Sequence, residues 1–263
     1  TRDGYLEVRD LAVEYAGSSG RLLALDGLSL SVAAREFVAI VGPSGCGKSS
    51  LLKVGCGLIR PTRGTVSVSG RSPTQARKDH KVGVVFQTPI MLPWRTVLAN
   101  ARLGLEIAGE RAKRPASVEH MLELVGLGGF SEATPAELSG GMLQRVAIAR
   151  ALVLEPELLF MDEPFGALDE FTRAQLGQEL LRIWTAVGCT ILFVTHSIEE
   201  AVTLADRIIV LSDRPGRVLG EVEVNIERPR DATILETEAA FIIGRKVRQL
   251  LRDGVLAGVG IVY

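Results

Sequence analysis

The sequence lacks two features that would point to a membrane or to nucleic acid. None of its apolar runs approaches the roughly 18 residues that a membrane-spanning helix needs, so we do not expect the chain to cross a membrane by itself. The 30 basic and 31 acidic residues leave a net charge of -1. So small a net charge offers no strong field to nucleic acid or to an anionic membrane surface.

Cysteine is scarce, and its pattern indicates a compartment. Cys46, Cys56 and Cys189 are an odd number without the spacing of metal ligands, which is typical of a reducing cytoplasm. No basic segment followed by an apolar one opens the sequence, so we expect a protein that is not secreted. The 263 residues suffice for one large α/β domain, or for a domain with a subdomain.

Alternating segments and short apolar runs predict a mixed α/β fold. Strands are predicted at 5–15, 28–32, 37–41, 64–70, 81–86, 158–161, 190–194, 208–211 and 217–224. Helices are predicted from residue 48 onward and at 96–109, 116–125, 142–154, 170–187 and 232–252. The first strands alternate apolar and polar residues, so we expect an antiparallel sheet beside the segment that follows strand 37–41.

The segment 37–52 carries the strongest motif. An apolar strand, a glycine-rich turn and a helix start follow one another in the pattern G-x-x-x-x-G-K-S/T. Glycines let the backbone wrap round a phosphate, so that N–H groups and the helix dipole point at the anion. Lys48 adds a charge for the outer phosphates, and the Ser49 hydroxyl suits Mg²⁺, which prefers oxygen ligands. We predict a nucleoside triphosphate site formed by Gly42, Pro43, Ser44, Gly45, Cys46, Gly47, Lys48, Ser49 and Ser50.

Polar residues also follow other predicted strands. Asp162 and Glu163 come directly after the apolar run 158–161. Beside a phosphate-binding loop, the first carboxylate can hold Mg²⁺ and the second can orient a water. Gln87 and His196 also stand where strands end, which is the edge at which α/β sheets place ligand-binding groups.

Three other features each allow two interpretations, and a fourth marks a second candidate anion site. Tyr15 can pack in the core or offer its face to a purine, and residue type alone favours packing. The apolar segment 88–95 can form a partner surface or pack inside. Ser139, followed by two glycines, is a candidate helix N-cap and so marks a second possible anion site. Cys46 can be a small residue that fills space in the loop or a redox switch, and the first role is favoured.

Together, these motifs resemble those of the ATP-binding subunit of ABC transporters over essentially the whole chain. The loop at 42–50 is similar to Walker A, and LLFMDE at 158–163 to Walker B with its following glutamate. LSGGM at 138–142 resembles the family signature, although Met142 stands where many relatives have glutamine. The resemblance assigns Gln87 to the Q-loop, Asp169 to the D-loop and His196 to the switch histidine. It makes Tyr15 the aromatic residue that stacks on adenine.

The resemblance implies an ABC ATPase fold, with a P-loop NTPase core, an antiparallel β subdomain and a helical signature subdomain. One ATP-binding domain would span 1–263, with the helical subdomain inserted at about 88–157. ATP and Mg²⁺ would bind, with Ser49 and Gln87 as direct metal ligands and Asp162 acting through water. The expected catalytic residues are Glu163, His196 and Lys48. The residues expected to contact ATP bound to the other chain of a dimer are Ser139, Gly140, Gly141 and Asp169.

Two further stretches, at 92–100 and 213–218, resemble the importer branch that serves nitrate, sulfonates and taurine. We predict an ATP hydrolase that powers uptake of a small anionic solute and lies on the cytoplasmic face of the membrane. The implied partners are a second copy or a paralogue, transmembrane permease subunits and a separate solute-binding protein, without nucleic acid. The alternatives are an importer of another solute and a soluble ABC-type ATPase that acts on DNA or ribosomes. A P-loop kinase would not explain LSGG.

Overall fold

A computed structural model describes residues 4–17, 20–109 and 117–258 of the chain. Its strands are β1 (Leu6–Gly17), β2 (Gly20–Val32), β3 (Phe37–Val41), β4 (Arg63–Val68), β5 (Val82–Val85), β6 (Leu158–Asp162), β7 (Thr190–Thr195), β8 (Arg207–Leu211) and β9 (Val218–Glu223). Its α-helices are α1 (Lys48–Gly55), α2 (Pro73–Lys78), α3 (Val97–Ala108), α4 (Val118–Leu124), α5 (Gly140–Leu152), α6 (Glu170–Val187), α7 (Ile198–Leu204) and α8 (Glu238–Gly258). Short 3-10 helices lie at Gly128–Phe130, Pro135–Glu137 and Ala232–Glu236.

A six-stranded sheet with the order β5-β6-β7-β3-β8-β9 forms the centre of the molecule. Its first five strands are parallel, and only β9 runs antiparallel to its neighbour β8. Every residue of β3, β7 and β8 is buried. Parallel strands covered on both faces read as continuous apolar runs, which is why these three could be predicted from the sequence.

The two faces of this sheet are covered by different elements. Side chains alternate across a strand, so Val38 and Ile40 of β3 pack with α1 and the β1, β2 and β4 strands. Phe37 and Ala39 point the other way, into a cluster with α3 to α8. The strands on the first face form a three-stranded antiparallel sheet with the order β2-β1-β4. The predicted α/β class and the antiparallel sheet are confirmed.

The helices α3, α4 and α5 lie between β5 and β6 in the chain. Their apolar residues, among them Ala101, Leu122 and Ile148, join the same buried cluster as the helix-covered face of the sheet. This is the segment in which a helical subdomain is expected at 88–157. The division of the chain into one domain with that insert stays a prediction.

Several predicted boundaries were wrong, each for a local reason. Strand β2 begins at Gly20 rather than at residue 28, because it pairs with β1 as a long hairpin in which Gly17 lies opposite Gly20. Helix α5 begins at Gly140 rather than at 142, because the Ser139 hydroxyl already caps it by accepting from the Met142 N–H at 3.3 Å.

The predicted helix at 232–252 is two elements. A 3-10 turn at Ala232–Glu236 is separated from α8 by Thr237, whose backbone is extended. The Thr237 Oγ1 accepts from the Ala240 N–H at 3.3 Å, so this residue caps the second helix rather than continuing the first.

The predicted helix at 116–125 is observed as α4 from Val118; its residue 116 lies outside the described part of the chain. Within the described ranges, no helix combines the length and the apolar character needed to cross a membrane.

Candidate nucleotide-binding site

The topology gathers the predicted site residues at one edge of the sheet. Strands β5, β6, β7 and β3 are neighbours and run parallel, so their carboxyl ends share an edge. Gln87 follows β5, Asp162 ends β6 and Glu163 follows it, and His196 follows β7. The glycine-rich loop follows β3. Ligands of open α/β sheets bind at this edge.

The glycine-rich loop has the backbone that its sequence predicts. Gly45 and Gly47 have φ angles of 79° and 103°, which residues with a Cβ adopt only with strain. A Cβ on Gly47 would lie 2.7 Å from the Ala24 carbonyl oxygen and 2.6 Å from Leu25 Cδ2. Glycine is therefore required twice at this position, by the φ angle and by the packing of β2 against the loop.

Lys48 is buried beneath the loop. Its Nζ donates to the carbonyl oxygens of Gly42 at 2.8 Å and Pro43 at 2.9 Å. Only 4% of the side chain is exposed, so the ammonium group is held at the loop rather than in solvent. Cys46 is free and fully buried, and burial raises the pKa of its thiol. This environment agrees with a packing role for Cys46.

The Ser49 hydroxyl and the Asp162 carboxylate meet across the loop. Ser49 Oγ donates to Asp162 Oδ1 at 3.1 Å. Burial raises the pKa of Asp162, against the opposing effect of the Ser49 hydrogen bond. A hydroxyl and a carboxylate are the hard oxygen donors that Mg²⁺ selects, so the residues present fit that ion. Gln87 is exposed and lies beside the turn that follows Glu163, with its Nε2 3.4 Å from the point that a Cβ on Gly166 would occupy.

Glu163 stands between a lysine and a histidine. Its Oε1 is 3.7 Å from Lys48 Nζ, and its Oε2 is 3.0 Å from His196 Nδ1. Its φ of 44° is in the left-handed region, which costs a non-glycine residue about 1–3 kcal/mol. The Glu163 N–H donates to the Val194 carbonyl at 2.9 Å, and the Glu163 carbonyl accepts from Gly166 at 3.0 Å. These bonds hold the strained residue with its carboxylate over the loop.

A partly buried carboxylate, which the sequence did not reveal, stabilises the strand end before His196. Glu200 on α7 accepts a hydrogen bond from the Thr195 hydroxyl, and its other oxygen lies 3.5 Å from Arg173 Nε. Arg173 also donates to the Leu168 carbonyl at 3.1 Å. The residue before His196 is thus linked to the turn that precedes α6. Nothing in the local sequence around Glu200 indicates this role, because both partners come from other elements.

A cleft of about 270 Å³ opens above the loop. Tyr15 borders it, and its hydroxyl lies 3.0 Å from Ser50 Oγ. Tyr15 is half-buried, so it both packs and faces the cleft. Leu22, Ala24 and Arg214 also line the cleft and were not predicted. The full lining is Tyr15, Leu22, Ala24, Gly45, Gly47, Lys48, Ser49, Ser50, Glu163 and Arg214.

A larger cavity of about 720 Å³ lies elsewhere and is not the candidate site. Its lining includes Glu157 and Thr190, which precede or begin β6 and β7, so it lies at the amino ends of the strands. It contains none of the predicted site residues. The candidate site is therefore the smaller cleft.

The signature residues lie outside this cleft. Ser139 and Gly140 are exposed at the start of α5, and neither lines the cleft. Asp169 caps α6, accepting from the Thr172 N–H at 3.0 Å and from the Thr172 hydroxyl at 2.6 Å. The Thr172 hydroxyl lowers the pKa of Asp169. The structure therefore does not bring Ser139, Gly140, Gly141 or Asp169 to the nucleotide cleft of the same chain.

The fold and the loop geometry are those of a P-loop NTPase, and comparisons with known proteins narrow the class. The family model described as "ABC transporter" matches residues 25–166, more than half of the chain. The nitrate import ATP-binding protein NrtD of Synechocystis is 44% identical over 94% of this chain and 95% of its own. The taurine import ATP-binding protein TauB of Rhizobium johnstonii is 45% identical over 85% of each chain.

A solved structure agrees with these relatives. It is a dimeric ATP-binding cassette in a post-hydrolysis state with ADP and Pi, and it aligns with a TM-score of 0.72 at 33% identity. The alignment covers 84% of this chain and 100% of the other. The chain belongs to the ABC transporter family.

Proposed function

We propose that this chain is the ATP-hydrolysing subunit of an ABC importer for a small anionic solute, such as nitrate, an aliphatic sulfonate or taurine. The observation that carries the proposal is the meeting of Lys48, Ser49, Asp162, Glu163 and His196 at one edge of the sheet. Relatives named for nitrate and taurine import, similar over most of their length, support the solute class.

ATP binds in the cleft, with its phosphates along the glycine-rich loop and its adenine against Tyr15. The loop N–H groups and Lys48 neutralise the phosphate charge, as in other P-loop sites. Ser49, Gln87 and Asp162 would hold Mg²⁺, with Asp162 acting through a water molecule. When bound, that ion would supply positive charge beside the phosphate oxygens during transfer.

Glu163 is the proposed catalytic base. Its carboxylate faces the cleft between Lys48 and His196 and is 20% exposed, so solvent reaches it. A base needs hydrogen-bond reach to the proton that it takes, and Glu163 orients and deprotonates the attacking water. The His196 ring, half-exposed beside Glu163, contacts the terminal phosphate.

The site is completed by a second chain. The exposed start of α5 carries Ser139 and Gly140 away from the cleft of their own chain, and Asp169 also lies outside it. A similar solved cassette is described as a dimer with ADP and Pi. We infer a head-to-tail dimer of identical or paralogous chains, in which these residues and Gly141 close over the partner's nucleotide.

The segment after β5 contacts membrane subunits. Phe86, Ile90 and Trp94 are 46%, 70% and 76% exposed, whereas Met91 packs against the core. Segment 88–95 therefore combines the two interpretations: Trp94 is exposed, as expected of a partner surface, and Met91 packs against the core. Exposed aromatic side chains of this kind are typical of partner surfaces. The chain therefore sits on the cytoplasmic face of the membrane against permease subunits, which receive solute from a separate binding protein.

The test is a capture from detergent-solubilised membranes of the source cell. Tagged Glu163→Gln is incubated with ATP and Mg²⁺, and the retained proteins are identified by mass spectrometry. We expect a protein with several membrane-spanning helices, whose uptake of nitrate and taurine is then assayed after reconstitution with the wild-type chain. Retention of ribosomal or DNA-bound proteins alone would contradict an importer role and favour the soluble class.

A further inference from the structure

The loop between β8 and β9, residues 212–217, is packed directly against the glycine-rich loop. The Gly216 N–H donates to the Ala24 carbonyl at 2.9 Å, and the Asp26 N–H donates to the Gly216 carbonyl at 3.3 Å. A Cβ on Gly216 would lie 2.1 Å from the Cys46 carbonyl oxygen. Glycine is required for this approach, and the two loops are held at a fixed separation.

The loop is also stiffened from within. Ser212 Oγ accepts from the Arg217 N–H at 2.9 Å and donates to the Pro215 carbonyl at 3.1 Å. The Asp213 carboxylate accepts from the Arg214 N–H at 2.7 Å. Because these bonds fix the backbone, the directions in which the two arginines leave the loop are fixed as well.

The two arginines of this loop have different surroundings. Arg217 pairs with Asp26 at 2.5 Å, on the side of the antiparallel sheet, so its charge is matched by a carboxylate. Arg214 instead lines the nucleotide cleft with Lys48 and Ser49. Its Nη2 is 3.2 Å from the point that a Cβ on Gly45 would occupy. Within the ranges that the structure describes, no carboxylate pairs with the Arg214 guanidinium.

We propose that Arg214 is a further nucleotide-binding residue, whose guanidinium donates to phosphate oxygens held by the glycine-rich loop. This inference rests on the proposed ATP-binding function of the same cleft. A guanidinium matches phosphate geometry and its hydrogen bonds to phosphate are charge-assisted. Gly45, which Arg214 faces, belongs to the loop whose N–H groups cradle the phosphates. Arg214 therefore strengthens binding of both ATP and ADP, and it slows the dissociation of ADP after hydrolysis.

The test measures nucleotide affinity by calorimetry with Mg²⁺, using ADP and GDP as probes. We expect Arg214→Ala to bind ADP and GDP about 10-fold or more weakly, since charge-assisted hydrogen bonds are the strong class. Arg214→Lys should recover part of the loss. The matched control is Arg21→Ala, because Arg21 is an exposed neighbour of Leu22 that pairs with Glu14 at 3.4 Å outside the cleft. We expect it to bind as the wild type does.

Three results would overturn the inference: unchanged ADP affinity in Arg214→Ala, an equal loss in Arg21→Ala, or a loss for ADP without one for GDP. The last would mean that Arg214 contacts the base. Thermal unfolding without nucleotide checks the fold. If the alanine variant unfolds, Arg214→Gln replaces it, because glutamine removes the guanidinium and its charge but keeps a polar side chain. A wild-type chain that binds no ADP would instead refute the proposed function itself.

Discussion

Replacement of Glu163 by glutamine separates ATP binding from ATP hydrolysis. Glutamine has nearly the same shape, so the contact with His196, 3.0 Å from the carboxylate, can persist through the amide oxygen. The amide cannot accept a proton from water. The substitution also removes the negative charge of Glu163, which lies 3.7 Å from Lys48 and competes with phosphate for that lysine. We expect ATP affinity equal to or tighter than that of the wild type.

The size of the catalytic loss follows from the role of the residue. Loss of a general base costs roughly 10²–10⁴ in rate, which corresponds to about 3–5.5 kcal/mol in the activation barrier. Because the lysine, the loop and the Ser49–Asp162 pair remain in place, the whole loss should fall on kcat.

The assay is single-turnover hydrolysis of radiolabelled ATP, combined with equilibrium binding of the same nucleotide. Glu199→Gln is the matched control, because Glu199 is an exposed carboxylate three residues beyond His196 on α7. The control should hydrolyse ATP at the wild-type rate. A Glu163→Gln variant with near-normal turnover would refute the assignment of the base, and one that no longer binds ATP would refute the separation of roles.

Three further changes test the metal site, the loop and the frame that supports them. Asp162→Asn should raise the Mg²⁺ concentration for half-maximal hydrolysis by roughly 10–100-fold. Burial raises the pKa of the metal-free Asp162 carboxyl, so protons compete with Mg²⁺ there; the Mg²⁺ concentration that the wild type needs should therefore rise as the pH is lowered, which titrations at several pH values measure. Gly47→Ala should lower the free energy of unfolding in urea by about 1–3 kcal/mol, and it should also abolish ATP binding. Unchanged ATP binding would contradict the tight packing of β2 on the loop. Arg230 donates to the carbonyl oxygens of Ala205 at 2.6 Å and Val224 at 3.0 Å. Each buried carbonyl left without a donor costs about 1–3 kcal/mol, so Arg230→Met should lower the free energy of unfolding in the same urea assay by at least about 2 kcal/mol. Full stability would contradict that role.

The elements that could be predicted from the sequence are those in which one local signal settles the structure. The runs 37–41, 158–161 and 191–194, which lie in β3, β6 and β7, are apolar because they are buried on both faces of the sheet. The polar residues at their ends then had to meet, because parallel strands share an edge. The contact between Ser49 and Asp162 and that between Glu163 and His196 follow from this argument.

The features that were missed depend on packing between distant segments. Arg214 reaches the cleft because its loop packs against β2 and the glycine-rich loop, residues far away in the chain. Glu200 accepts directly from Thr195 at the strand end before His196, and the residue beside its other oxygen, Arg173, belongs to another helix. The long hairpin of β1 and β2 extends through residues whose alternation is irregular, and its register shifts between Val8 and Leu11. Local periodicity carries none of this information.

The dimeric state of Glu163→Gln in ATP shows whether two chains share each ATP site. Sedimentation equilibrium would be measured with and without ATP, beside a double variant that also carries Ser139→Arg at the exposed start of α5. We expect ATP to double the mass of Glu163→Gln, and we expect the double variant to bind ATP but to stay monomeric. A single variant that stays monomeric at saturating ATP, or a double variant that dimerises equally well, would contradict the shared site.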